Sequence, residues 1–283
     1  MNLVLLLILG VLWGSSYMWI KVAVAEVPTL TFVAWRLTLS ALVLWGLLRL
    51  RGVAMPRDRR AWKVFAALGV LNGVTPYLLI SWGELYISSG LASLLTATMP
   101  IFAVLLTHSF TDERITPTKA LGVALGFVGV GILMLPDLRQ GVQSNLLGQA
   151  AVVVASLSYA GGAIVARSQH SRQLPLVLAT GQMIIGSVIT LPLSLLVDRP
   201  FGLSPSLPAL ASWAALTLLG TVLAYILYYH LIERTSATFI STVTYIIPVV
   251  GLLAGALALN EPLDTTLLGS LPLILMGVLL VRA

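Results

Sequence analysis

Ser93, Thr96 and Pro100 follow the spacing i, i+3, i+7, and the same three residue types recur at the same spacing as Ser241, Thr244 and Pro248. On a helix that spacing places each set on one face. Hydroxyls on such a face can donate to or accept from a solute. Proline frees a backbone carbonyl and permits a bend, which makes Pro100 and Pro248 candidate hinge points. The plainer use of each hydroxyl is a bond to its own helix backbone, with the proline a simple kink. Aromatic residues accompany these positions: Trp13, Tyr17, Tyr77, Trp82, Tyr159, Tyr225, Tyr228, Tyr229 and Tyr245. Trp62 and Trp213 stand at the starts of apolar runs, where an interfacial belt would place them. Tyr17, Tyr77, Tyr159, Tyr228 and Tyr245 lie deeper, where rings can stack on or enclose an amphipathic or cationic ligand. Ser16 and Ser158 each precede one of these tyrosines. Asn72 adds an amide that either recognises a polar group or bonds a neighbouring helix. Arg36, about seven residues into its apolar run, is a candidate contact for a substrate carboxylate. Both Arg36 and Lys21 are also near enough to a run's end to snorkel.

Other chemistries have nothing to work with. There is no cysteine, which removes disulfides, thiol catalysis and thiolate metal sites. His108, His170 and His230 are isolated and show no metal spacing. No H-E-x-x-H, G-x-S-x-G or phosphate loop occurs, so neither an intramembrane hydrolase nor an ATP-driven pump is indicated, and no cofactor or metal is expected. Glu84, Glu113, Glu233 and Glu261 all fall at the ends of apolar runs. With no acid deep in a run, proton antiport gains no support from the sequence. Glu113 and Glu261 near helix starts read as caps.

The elements that must hold these residues follow from composition. The chain has 283 residues, 58% hydrophobic and 9% charged, against about 25% charged in a soluble domain. Mean hydropathy is +1.00. So few charges cannot cover a water-facing surface, and the solvent is lipid. Charges and prolines divide the chain into ten apolar runs of roughly 20 residues, the length of a spanning helix: about 2–25, 29–49, 62–83, 88–110, 117–135, 146–166, 174–197, 207–231, 236–259 and 264–282. The expected fold is therefore an all-α polytopic membrane protein with no soluble domain. The first run is read as a retained helix, since it lacks a basic leader and is too long for a signal peptide.

Orientation follows from Lys and Arg in the connections. Arg49, Arg51, Arg57, Arg59, Arg60, Lys63, Arg114, Lys119, Arg167, Arg172, Arg234 and Arg282 fall on one side; Lys21, Arg139 and Arg199 fall on the other. The richer side is expected to be cytoplasmic and to hold both termini. The net charge of +6 is read as this orienting charge rather than a nucleic-acid surface. The expected partners are the bilayer and a small-molecule solute, with no obligate protein partner.

The chain also repeats itself. At an offset of 148, Ser93, Thr96 and Pro100 align with Ser241, Thr244 and Pro248, Asp112-Glu113 with Asn260-Glu261, and Gly129 with Gly277. At an offset of 151, Trp62, Gly69 and Tyr77 align with Trp213, Gly220 and Tyr228. Two units are expected, residues 1–135 and 146–283, each of five spans. Five is odd, so the second must enter the membrane upside down. Inverted repeats characterise secondary transporters, which bind substrate at the repeat interface near mid-membrane. Gly10/Gly14, Gly69/Gly73, Gly122/Gly126 and Gly251/Gly255 are small-xxx-small pairs suited to close helix packing.

Several segments together resemble a known family: Gly14-Ser15-Ser16-Tyr17; Gly90-Leu91-Ala92-Ser93 leading to Met99-Pro100 and Asp112-Glu113-Arg114; Gly122, Gly126, Phe127, Gly129 and Gly131; and Asn260-Glu261-Pro262. Over essentially its whole length the chain resembles the EamA-type branch of the drug/metabolite transporter superfamily, and within it bacterial exporters of aromatic and other amino acids. The resemblance implies export from the cytoplasm across the inner membrane. It also implies a central cavity lined by spans one, three, four, six, eight and nine, the spans that carry the polar and aromatic residues above. Two other readings stay open: export of drugs, lipophilic cations or other metabolites, and a non-transporting scaffold or lipid-handling protein.

Overall fold

A computed structural model describes residues 2–110, 115–167, 174–235 and 237–282. Among these there are helices and no strands. The helices are α1 (Asn2–Val24), α2 (Thr29–Leu50), α3 (Arg59–Leu68), α4 (Thr75–Gly83), α5 (Ser89–Thr96), α6 (Met99–Phe110), α7 (Pro117–Gln140), α8 (Gln143–Arg167), α9 (Pro175–Val197), α10 (Leu207–Ala215), α11 (Ala224–Arg234), α12 (Ala237–Ser241), α13 (Val243–Leu259) and α14 (Thr265–Leu280). Joined across their breaks, nine segments are long and apolar enough to cross a bilayer. The tenth, α14, has 16 residues and reaches about 24 Å, a short span.

Five details depart from the expected spans. α7 runs on to Gln140 through Pro136, and α8 starts at Gln143, so the halves are separated by a single tight turn. Gly141 at φ 69° ends α7 in the left-handed conformation that glycine adopts freely. The third span contains a π-helical segment, Gly69–Val74, between α3 and α4, and the eighth contains another, Leu216–Leu223, between α10 and α11. The repeat-matched glycines Gly69 and Gly220 fall one in each. The fourth span breaks at Ala97–Thr98, just before Pro100, and the ninth at Thr242, ahead of Pro248.

Packing shows that the two halves are inverted. α2 packs on α9 and α7 on α14, each pair being repeat equivalents. Thr31 meets Asp198 while Thr38 meets Ser187, so α2 and α9 run antiparallel. Gly122 lies against Leu280 while Gly129 lies against Ile274, so α7 and α14 do too. The remaining large contacts also exchange under the repeat: α4 on α8 has its counterpart in α1 on α10 and α11, and α1 on α13 in α8 on α5 and α6. Seven of the eight glycines in the small-xxx-small pairs sit where a methyl would come closer than 3 Å to a neighbouring helix; Gly73 has room.

One end of the bundle is tied by carboxylates, and we call it the latched end. Glu261, following α13, accepts from the Ser89 backbone N–H (2.8 Å), the Ser89 hydroxyl (2.8 Å) and the Gly90 N–H (3.1 Å) at the start of α5. Asp198 accepts from the Thr31 N–H (2.8 Å) and hydroxyl (2.7 Å) in the first turn of α2. Glu26 accepts from the Ser206 N–H (2.7 Å) and hydroxyl (2.6 Å) ahead of α10. Each carboxylate meets the positive N-terminal end of a helix from the opposite half. Glu261 does cap a helix, and the helix belongs to the first half. Glu113 lies outside the described residues. The Ser206 donors hold the Glu26 carboxyl below the usual glutamate range, so that contact is kept above that range and released only as pH falls through the depressed value.

Candidate functional site

Arg36 does not snorkel. It is only 5% exposed, and its guanidinium lies 3.7 Å from the ring centroid of Tyr77 on α4. Its Nε donates to Thr221 Oγ1 (3.0 Å) in the second π segment. Its two terminal nitrogens make no hydrogen bond to any described residue. A cation in an apolar bundle is costly unless paired or stacked. The tyrosine face supplies part of that compensation, and the unspent planar donors have the fork geometry that pairs with carboxylates in general. Tyr17 of α1 is buried and Tyr159 of α8 is half-buried, and both are near enough to Arg36 to feel its charge. Tyr17 also lies against Thr96. Four spans from the two halves thus converge on one cation, with a fifth supplying Thr221.

The π segments shape this centre. Widening the helix by one residue re-aims the side chains that follow and is common at functional positions. Thr221 Oγ1 donates back to the Leu216 carbonyl five residues earlier (3.1 Å) and still accepts from Arg36. Asn72, in the first π segment, packs against Gly162 of α8, where any side chain on that glycine would strike its amide. The amide itself hydrogen-bonds no described residue. Next to it, Ser158 Oγ donates to the Leu71 carbonyl (2.8 Å).

The other candidate residues make contacts of their own. Ser93 is fully buried, donates to the Gly90 carbonyl (2.7 Å) and fills the space beside Gly251. Thr96 donates to the Ala92 carbonyl (2.8 Å) and Ser16 to the Leu12 carbonyl (2.7 Å). Ser241, Thr244 and Tyr245 gather around Arg282: its guanidinium donates to the Ser241 carbonyl and to Thr244 Oγ1 (2.8 Å) and lies 5.0 Å over the Tyr245 ring. Trp13 packs against Tyr228, centroids 5.5 Å apart, beside a separate apolar cluster. Tyr225 borders the main core. Trp213 packs edge-on against Trp35 at 5.9 Å. Lys21 is drawn into the latched end, where Nζ donates to the Glu84 carbonyl and to the Ile87 carbonyl (2.8 Å). Glu84, at a run's end in the sequence, is fully buried. His170, Arg114 and Arg172 lie outside the described residues.

Sequence reasoning missed Thr221 and Glu84. Thr221 sits in an apolar run beside Gly220, and the match of that glycine to Gly69 was the available signal.

Ten apolar spans among the described residues, in two inverted repeats that meet around a buried cation stacked on a tyrosine, have the architecture of a secondary transporter. The profile of the EamA-like transporter family matches residues 1–135 and again 146–283, and the chain belongs to that family. It is 30% identical over 273 residues to an uncharacterized transporter of Archaeoglobus fulgidus, covering 95% of this chain and 94% of that one. It is 26% identical to the uncharacterized inner membrane transporter YedA of Escherichia coli K12, covering 87% of this chain and 79% of YedA. It is 29% identical to a probable terminal-alkyne amino-acid exporter of Streptantibioticus cattleyicolor, covering 89% and 83%. A crystal structure 17% identical in sequence superposes with a TM-score of 0.70 over 99% of this chain and 95% of that chain, a likeness of fold. The protein is a multi-pass membrane transporter.

Proposed function

We propose that the protein exports amino acids, aromatic ones among them, from the cytoplasm across the inner membrane by alternating access, with both termini cytoplasmic. The observation that carries this reading is Arg36, stacked on Tyr77 with its two terminal nitrogens unspent at the meeting of the halves. An α-carboxylate fits that fork, and the Tyr17, Tyr77 and Tyr159 rings suit an apolar or aromatic side chain. Asn72 offers an amide for the amino group. The probable terminal-alkyne amino-acid exporter among the relatives is consistent with the same chemistry. A fixed central guanidinium repels lipophilic cations, which counts against the drug-export reading.

Ligand-dependent melting of the purified protein tests the substrate class. A ligand at about 100 times its dissociation constant adds about 2.7 kcal/mol to the folded state. Phenylalanine and tryptophan are expected to raise the melting temperature, and their carboxamides and tetraphenylphosphonium to leave it unchanged. Stabilisation by tetraphenylphosphonium with none from free amino acids would overturn the assignment.

A further inference from the structure

Glu84 follows α4 directly, is fully buried, and has both carboxyl oxygens enclosed without a hydrogen-bond partner. None of the ionisable groups near enough to act on it gives it a hydrogen bond. Lys21 of α1 gives its ammonium to the backbone carbonyls of Glu84 and Ile87. Arg36 of α2 is stacked on Tyr77 and bonded to Thr221. Glu261 is the other acid within range, and its oxygens are filled by Ser89 and Gly90. Tyr17 lies against Thr96. α8, packed on α4, brings Gly148 and Val152 to this end and no charged residue before Arg167.

A carboxylate enclosed with no donor is penalised by several kcal/mol, and a second carboxylate nearby adds to the penalty. Taking up a proton removes both effects. A bound metal does not fit, since the closest backbone carbonyls already hold the Lys21 ammonium and the described residues contain no cluster of three metal-binding side chains. Glu84 is also part of the latched end: its own carbonyl holds Lys21, and Ser89, five residues on, is held by Glu261.

We propose that Glu84 is a proton-binding site that couples closure of the latched end to proton uptake. The carboxylate is ionised when water reaches that end. As the helices close, it takes one proton from that aqueous phase and is sealed in as the neutral acid, and reopening releases the proton to the same side. Because closure binds a proton, acid on that side favours the closed form. The closed-to-open ratio changes up to tenfold per pH unit between the acid's two ionisation ranges. The opening and closing of this end rests on the alternating-access reading; the protonated state of the closed form does not.

Two measurements on the full-length protein test the proposal. Infrared difference spectra of wild type minus Glu84→Gln at neutral pH are expected to show the carbonyl stretch of a protonated carboxylic acid, shifted in heavy water. Absence of that band would overturn the proposal. The natural lack of cysteine permits a clean second readout. A single cysteine at buried Ile87 is labelled with maleimide, normalised to one at the exposed Leu85. Protection of the buried site is expected to fall as pH rises in the Glu84 background and to be flat with Glu84→Gln, which mimics the neutral acid. Equal pH dependence in both would contradict it. Should Glu84→Gln fail to fold, wild type minus Glu84→Asp is expected to show a positive and a negative acid carbonyl band at slightly different frequencies, with the pH-dependent protection kept; absence of both bands would overturn the proposal. Neither readout uses a substrate, so this proposal and the exporter reading can fail separately.

Discussion

Replacing Arg36 by alanine is expected to lower transport of carboxylate-bearing substrates about 10- to 100-fold while the protein still folds. The magnitude follows from the chemistry. A hydrogen bond to a charged partner contributes about 1.5–3 kcal/mol, and 1.4 kcal/mol is tenfold in affinity. The free fork offers a paired contact of that kind. Lysine should not rescue it, because an ammonium presents neither the planar fork nor the stacking face that lies on Tyr77. Folding should survive, because removing a buried cation from an apolar bundle relieves desolvation even as the Thr221 contact is lost. Concentration-dependent initial rates in proteoliposomes, alongside melting temperature in detergent, separate the two effects. Unchanged rates for phenylalanine would remove Arg36 from the site.

Gly277→Ala is the second substitution with a large expected effect, and it acts on the fold. A methyl at Gly277 would stand 2.7 Å from the Gly122 carbonyl oxygen and 2.8 Å from the Gly126 nitrogen. Both are backbone atoms of α7 and cannot swing aside, so α14 must move off its repeat partner. Overpacking of this kind destabilises by about 1–3 kcal/mol. Gly269, two turns earlier on the same helix, has nothing within 4 Å of the equivalent point. Gly269→Ala should gain up to about 1 kcal/mol from helix propensity alone. The same chemical change, eight residues apart, is therefore expected to have opposite signs in denaturant unfolding from micelles. Equal stability of the two variants would refute close α7–α14 packing.

What the sequence disclosed follows from what repeats or is periodic. Apolar run length located the spans, polar matches at fixed offsets exposed the inverted halves, and small-xxx-small pairs marked close helix contacts. Tyr17, Tyr77 and Tyr159 stand out because aromatic groups deep in apolar runs are rare; Arg36 stands out as a charge inside a run, yet its spacing reads equally as a snorkelling side chain. What stayed hidden depends on partners far along the chain. Thr221 reads as an ordinary hydroxyl until Arg36, 185 positions away, bonds it. Ser241 and Thr244 read as cavity-facing until Arg282 reaches back to them. Glu84 reads as a surface acid because it ends its run, and only Lys21 and the neighbouring α8 reveal that this end is closed over it. The π segments left no trace, since one extra residue in a turn does not alter hydropathy.

The central claim is that the Arg36 centre carries amino acids between the two sides. Counterflow tests it most directly. Proteoliposomes loaded with unlabelled phenylalanine are diluted into labelled phenylalanine. The expected result is transient accumulation of label with wild type, strongly reduced with Arg36→Ala and absent from empty liposomes. No accumulation above empty liposomes for any neutral or aromatic amino acid, with folded wild-type protein in the membrane, would contradict the account.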